Sequence, residues 1–238
     1  MIDISFRKVS INDIDESQRS DLDRLMDSDR TSTVFNDVGL ALIYQKHFPR
    51  SRMYTYQIFY KSDMIGYFVS NEVFKCGLKY VYSPPVNSLF PYGGVVVHSD
   101  FAKESQFICN KLLTSIMRPN CSLYIASNPD QCCFDSSAGS TSLMNIPTLF
   151  IDVSLGRDEI WRLMENLTRR NIKKALKNSV TVKKKSLEDF SSVADHLRIY
   201  RQLCERKGLT YVSDDYYYDI MRYVSDKYHL DVYYGVCN

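Results

Sequence analysis

No run of about 18 apolar residues occurs anywhere in the chain, so no membrane-spanning helix is read. The N-terminal stretch MIDISFRKVSINDIDE lacks the apolar region of a secretory leader and reads instead as a first strand. Paired cysteine spacing is missing too. There are seven cysteines, irregularly placed, and the adjacent pair Cys132-Cys133 is a poor disulfide or metal site. A disulfide framework is thereby excluded, and reduced thiols in a cytoplasm are the simplest setting. The four histidines, His47, His98, His196 and His229, have no metal-ligand spacing. Ser, His and Asp occur without a recognisable nucleophile motif. The net charge is only +2, which speaks against a globally basic nucleic-acid binder.

What is present is an ordinary globular composition. Apolar residues make up 45% and charged residues 24% of 238, enough to bury a core in one large domain or two small ones. Charge is unevenly spread. Residues 156–185 hold ten Lys/Arg against three acids, so a chain of net +2 concentrates positive charge in one segment. Within it, LTRRNIKKALKN (167–178) sets Arg169, Arg170, Lys173, Lys174 and Lys177 on a helix that also carries Leu167, Ile172, Ala175 and Leu176. The apolar residues give a helix face to bury; the cations are left for solvent or for an anion.

Periodicity and turn chemistry give the order of elements. ISFRKVS (4–10) is a strand, followed by helices at 17–29 and 33–48, the second with Thr33 or Asn36 as cap. Residues 55–74 form a hairpin about Lys61-Ser62-Asp63. Strands at 78–85 and 92–97, a helix at 100–117, and strands at 121–127 and 148–153 follow, with loop chemistry at 128–142. The pattern then restarts. One long helix at 156–178, a strand at 180–185, helices at 187–207 and 213–227, and a strand at 229–238 end the chain. Hairpins and helices on one sheet make an α/β class with a mixed, α+β-like sheet.

Three stretches carry a family resemblance. SPPVNSLFPYGGVVV (83–97) is similar to a Ser-Pro…Tyr-Gly-Gly segment, and FIDVSLGRDEIWRLMENLTRRNIKKALKNSVTVKK (150–184) to a strand, basic helix and strand. The third is the helix pair 187–227, joined through Arg206-Lys207-Gly208-Leu209. Together they resemble the FemAB-like branch of the GNAT N-acyltransferases, proteins built of tandem GNAT units. The resemblance implies one full GNAT-like unit at 1–147 on the acceptor side, and the beginning of a second at 148–238. The expected C-terminal elements of that second unit do not follow, so the chain is read as C-terminally incomplete, a fragment of a longer protein.

The resemblance implies N-acyl transfer, by direct attack of an amine on the acyl donor, to a cell-envelope precursor. That precursor is a peptidoglycan stem peptide or a surface-polysaccharide amino sugar. Its phosphorylated, nucleotide- or lipid-linked form makes Arg169, Arg170, Lys173 and Lys174 the expected acceptor cations, because guanidinium and ammonium groups grip phosphate. A lipid-linked acceptor implies peripheral contact with a membrane surface. Lys183-Lys184-Lys185 reads as a solvated strand end. Tyr92, Gly93 and Gly94 either line the acceptor cleft or make a tight turn after Pro91. His98 is a candidate general base. No catalytic residue is assigned; catalysis is expected from positioning and oxyanion stabilisation.

No tightly bound cofactor is expected. The donor is acyl-CoA or aminoacyl-tRNA. A GNAT domain holds the CoA pyrophosphate on a glycine-rich loop before a helix. Here VVVHSDFAKESQFICNKLL (95–113) has no glycine and places Lys103, Glu104 and Gln106 in that loop, so the first unit is not expected to hold CoA in the usual way. Two rivals stay open: a non-catalytic acceptor-binding module, and an ordinary acetyl-CoA-dependent acetyltransferase.

Overall fold

The computed structural model describes residues 3–128, 151–185 and 191–237. Its contacts divide the chain into two compact units, Met1–Leu143 with Val212–Tyr223, and Met144–Tyr211 with Val224–Asn238.

The first unit is built on a mixed sheet. Its elements in chain order are β1 (Ile4–Ser10), α1 (Glu16–Ser28), α2 (Val38–His47), β2 (Arg52–Tyr60), β3 (Asp63–Lys75), β4 (Leu78–Ser83), β5 (Val95–Val97), α3 (Ser105–Ile116) and β6 (Cys121–Ile125). The strand order is β1-β2-β3-β4-β6, antiparallel except for the parallel pair β4–β6. β3 pairs through its second half with β4 and through its first half with β5. β4 and β5 thus run as one interrupted partner of β3, and residues 84–94 leave the sheet between them. The α/β class with a mixed sheet, expected from the sequence, is the class observed.

Alternation decides which side chains meet. Ile4 and Phe6 of β1, Tyr56, Ile58 and Tyr60 of β2, and Phe68 of β3 share a cluster with Ile108, Cys109, Leu112 and Ile116 of α3. The helix residues recur at helical spacing, so one stripe of α3 is buried. Tyr67 takes the other face, and its hydroxyl donates to the Asn36 carbonyl at 3.1 Å, just ahead of α2. α1 opens on a capping box in which the Asp15 carboxylate accepts from the Gln18 amide at 2.8 Å and Gln18 reciprocates.

The second unit contributes α4 (Arg157–Leu163), α5 (Asn166–Lys177), β7 (Val180–Lys185), α6 (Ser191–Lys207) and β8 (Val232–Cys237). β7 and β8 form a two-stranded antiparallel ladder. α7 (Asp214–Lys227) begins in the first unit, to which its residues through Tyr223 belong.

Those residues hold α7 to α1 and α2. Tyr216 is fully buried, with ring contacts to Tyr44 and Phe48 at 6.2 and 5.2 Å. Asp219 accepts from Lys46 and pairs with His47, each at 2.7 Å, and these bonds hold its carboxyl below the usual aspartate value. The Tyr223 hydroxyl donates to Asp37, with oxygens at 2.9 and 3.0 Å, and accepts from Arg19 at 3.1 Å. Replacing Tyr223 by Phe strands a buried carboxylate without that donor. The expected loss is about 1–2 kcal/mol, read as a lower urea midpoint at unchanged slope; an unchanged midpoint would show the bond to be idle.

Several elements differ from the sequence reading. The long helix at 156–178 is two helices, because Met164 and Glu165 take extended ψ values of 144° and 148°. The helix at 33–48 is a 3-10 turn at Val34–Asn36 followed by α2, whose cap is Asp37, accepting from the Gly39 amide at 2.7 Å. Thr33 and Asn36 bracket the turn instead. Residues 151–153 lie in no strand; 148–150 and the loop at 129–142 fall outside the described residues.

Candidate functional site

Residues 84–94 are the first candidate. The excursion opens on a cis Ser83-Pro84 bond and returns through Gly93 and Gly94. The Gly93 amide donates to the Ala126 carbonyl and the Ala126 amide to the Ser83 carbonyl, each at 2.7 Å, while the Gly94 amide donates to Ser83 Oγ at 3.1 Å. A Cβ on Gly93 would lie 2.3 Å from that Oγ and 2.8 Å from Pro84 N. Gly94 has φ of 105°, the region that favours glycine. The two glycines therefore serve a close backbone crossing. Tyr92 is half-buried and meets Phe35 edge-on at 6.4 Å. The cavity that Gly93 and Gly94 share with Phe35, Asp37, Ser83 and Phe90 holds about 10 Å³, room for about one water.

The turn between β5 and α3 is closed by its own chain. The Val97 amide donates to Asp29 Oδ2 at 2.9 Å, His98 to the Ile65 carbonyl at 2.8 Å, and Phe101 to the His98 carbonyl at 2.8 Å. His98 Nδ1 lies 3.2 Å from the Asp100 amide and 3.6 Å from the Asp100 carboxylate. A 3-10 turn at Ser99–Glu104 runs straight into α3.

In the second unit, α5 carries the cationic residues. Arg170, Lys173, Lys174 and Lys177 are exposed and fall at i, i+3, i+4 and i+7, one face of the helix. Arg170, Lys173 and Lys174 make no ion pair with any described residue. Arg169 borders this face, one helical turn before Lys173; it is half-buried, and its guanidinium donates to Asn166. Leu167 and Leu176 remain 54% and 67% exposed. Of the lysines on β7, Lys184 pairs with Asp231 at 2.8 Å. Tyr92, Gly93 and Gly94 thus belong to one unit and Arg169, Arg170, Lys173 and Lys174 to the other.

A cluster that the sequence reading passed over lies on the α3 face of the first sheet. Glu72, 2% exposed, accepts from Lys8 at 2.7 Å, Lys79 at 2.8 Å and the Tyr56 hydroxyl at 2.7 Å. Burial pushes its carboxyl up, but the bonds from Lys79, Lys8 and Tyr56 outweigh that and hold it below the usual glutamate value. The signal was available: Lys8, Tyr56 and Glu72 each sit at the core-facing parity of their strands.

Residues 148–234 match the model of the FemAB family, so this stretch is FemAB-like. Two solved structures of the aminoglycoside acetyltransferase meta-AAC0020 from an uncultured soil metagenomic sample, one with sisomicin and one with trehalose, are similar to the chain. Each is 12% identical, the match covering 63% of this chain and 96% of theirs at a TM-score of 0.37. No curated protein matches the chain.

Proposed function

We propose that the chain serves N-acyl transfer to an amine on a phosphorylated cell-envelope precursor, with the basic face of α5 holding the phosphate. The observation that carries this reading is the FemAB match over 148–234, which supports an acyltransferase role and contains α5. The exposed quartet Arg170, Lys173, Lys174 and Lys177 supplies the chemistry. A guanidinium grips two phosphate oxygens in parallel and the lysines add point charges. Arg169, bonded to Asn166 and one turn before Lys173, borders the same face.

The acceptor is a nucleotide- or lipid-linked stem peptide or amino sugar, and a lipid-linked one brings the protein to a membrane surface. No described helix is long and apolar enough to cross a membrane. The donor is acyl-CoA or aminoacyl-tRNA. Amides at 97, 98, 100 and 101 already bonded within the first unit favour an acceptor role there over a CoA pyrophosphate cradle. The same observation favours a second reading, an acceptor-binding module without turnover.

A transfer assay separates these. The chain is incubated with a nucleotide-linked muramyl peptide and either acetyl-CoA or glycyl-tRNA, and the acceptor is weighed by mass spectrometry. The expected result is a gain of one acyl or aminoacyl group on the amine. An acceptor that binds yet keeps its mass with both donors would favour the binding module.

A further inference from the structure

The sheet of the first unit is longer than the helix that covers it. α3 has twelve residues and spans about 18 Å, while β3 has thirteen and spans about 43 Å. Beyond the last turn of α3 the covered face changes character. Ile4 and Phe6 give way to Lys8 along β1, Ile58 gives way to Tyr56 along β2, and Phe68 gives way to Glu72 along β3. A cavity of about 320 Å³ opens there, lined by Phe6, Lys8, Tyr56, Lys79, Ser115 and Arg118.

The charge in this cavity exceeds what the structure needs. One cation neutralises the Glu72 carboxylate, yet Lys8 and Lys79 both reach it and Arg118 stands on the same wall with no ion pair to any described residue. Lys8, Lys79 and Arg118 line a space at the lower end of small-molecule sites, and Glu72 contacts the two lysines directly. Lys8 is oriented further by the Tyr54 ring, 3.7 Å from its ammonium. Phe6 and Tyr56 give the cavity apolar walls.

We infer that this cavity binds a phosphoryl group, free or carried on a small organic body, between Arg118, Lys8 and Lys79. Glu72 positions the two lysines and competes with the ligand for them. The site lies wholly within the first unit and is independent of acceptor binding on α5.

The test uses the full chain carrying Arg170→Ala and Lys173→Ala, so that α5 does not contribute. Inorganic phosphate and glucose 1-phosphate are titrated separately by calorimetry. Saturable binding is expected, weakened about tenfold or more by Arg118→Glu and tightened by Glu72→Gln, which keeps the shape and removes the competing charge. Circular dichroism checks that each variant is folded. Tighter binding of the sugar phosphate would assign the apolar walls to an organic body; equal binding would assign the site to free phosphate. Absence of saturable binding, or an affinity indifferent to Arg118→Glu, would overturn the inference.

Discussion

Replacing Gly93 by alanine is expected to lower stability by about 3 kcal/mol. The added methyl would meet Ser83 Oγ at 2.3 Å and two backbone atoms, Pro84 N and Ser83 C, at 2.8 Å. Backbone does not swing aside as a long side chain does. Relief requires breaking the crossing in which Gly93 donates to Ala126 and Ala126 to Ser83. Gly77→Ala, in the β3–β4 turn at φ of 77° with nothing within 4 Å of the new methyl, costs only about 1–2 kcal/mol of backbone strain. Urea unfolding of the two variants side by side reads the difference. Equal losses would mean that Gly93 supplies chain freedom alone, and the crossing would cease to explain the Tyr-Gly-Gly segment.

A larger effect, about 3–5 kcal/mol at neutral pH, is expected when Lys8 and Lys79 are both replaced by methionine. The apolar stems stay, but Glu72, 2% exposed, loses both cations. The sign of the pH dependence should reverse with them. In the native protein the Glu72 carboxyl is held below its usual value. Its contribution is complete above the unfolded carboxyl pKa of about 4.3, and is lost as pH falls through the lower folded value. In the variant burial acts with only the Tyr56 bond against it, so the folded carboxyl rises. Its contribution is then present below about pH 4.3 and is lost as pH climbs through the raised value. The stability gap between the two proteins should therefore widen from pH 3 to pH 7. A gap independent of pH would remove Glu72 from the explanation.

The parts of the fold legible in the sequence are those fixed by local pattern. The hairpin about Lys61 and Ser62, strand β1, helix α3 and strand β7 follow from alternation, helical spacing and turn residues. What escaped depends on partners distant in the chain. Nothing in WRLMENLT marks the break at Met164 and Glu165, since every residue there tolerates a helix. Asp37, not Thr33 or Asn36, caps α2, and its carboxylate also takes the Tyr223 hydroxyl, 186 residues on. Gly93 and Gly94 looked equally suited to a ligand or to a turn, and only the register of Ser83 and Ala126 distinguishes a crossing. On α5 the spacing of Arg170, Lys173, Lys174 and Lys177 was readable, whereas the half-buried position of Arg169 was not.

Calorimetric titration of a nucleotide-linked muramyl peptide into the chain, native beside Arg170→Ala/Lys173→Ala, bears most directly on the role of α5. Acetyl-CoA is titrated in parallel. Precursor binding that weakens about tenfold or more in the double variant, with no CoA binding to either protein, is the expected result. Tight CoA binding with no precursor binding would contradict it, and would move the protein to ordinary acetyl transfer.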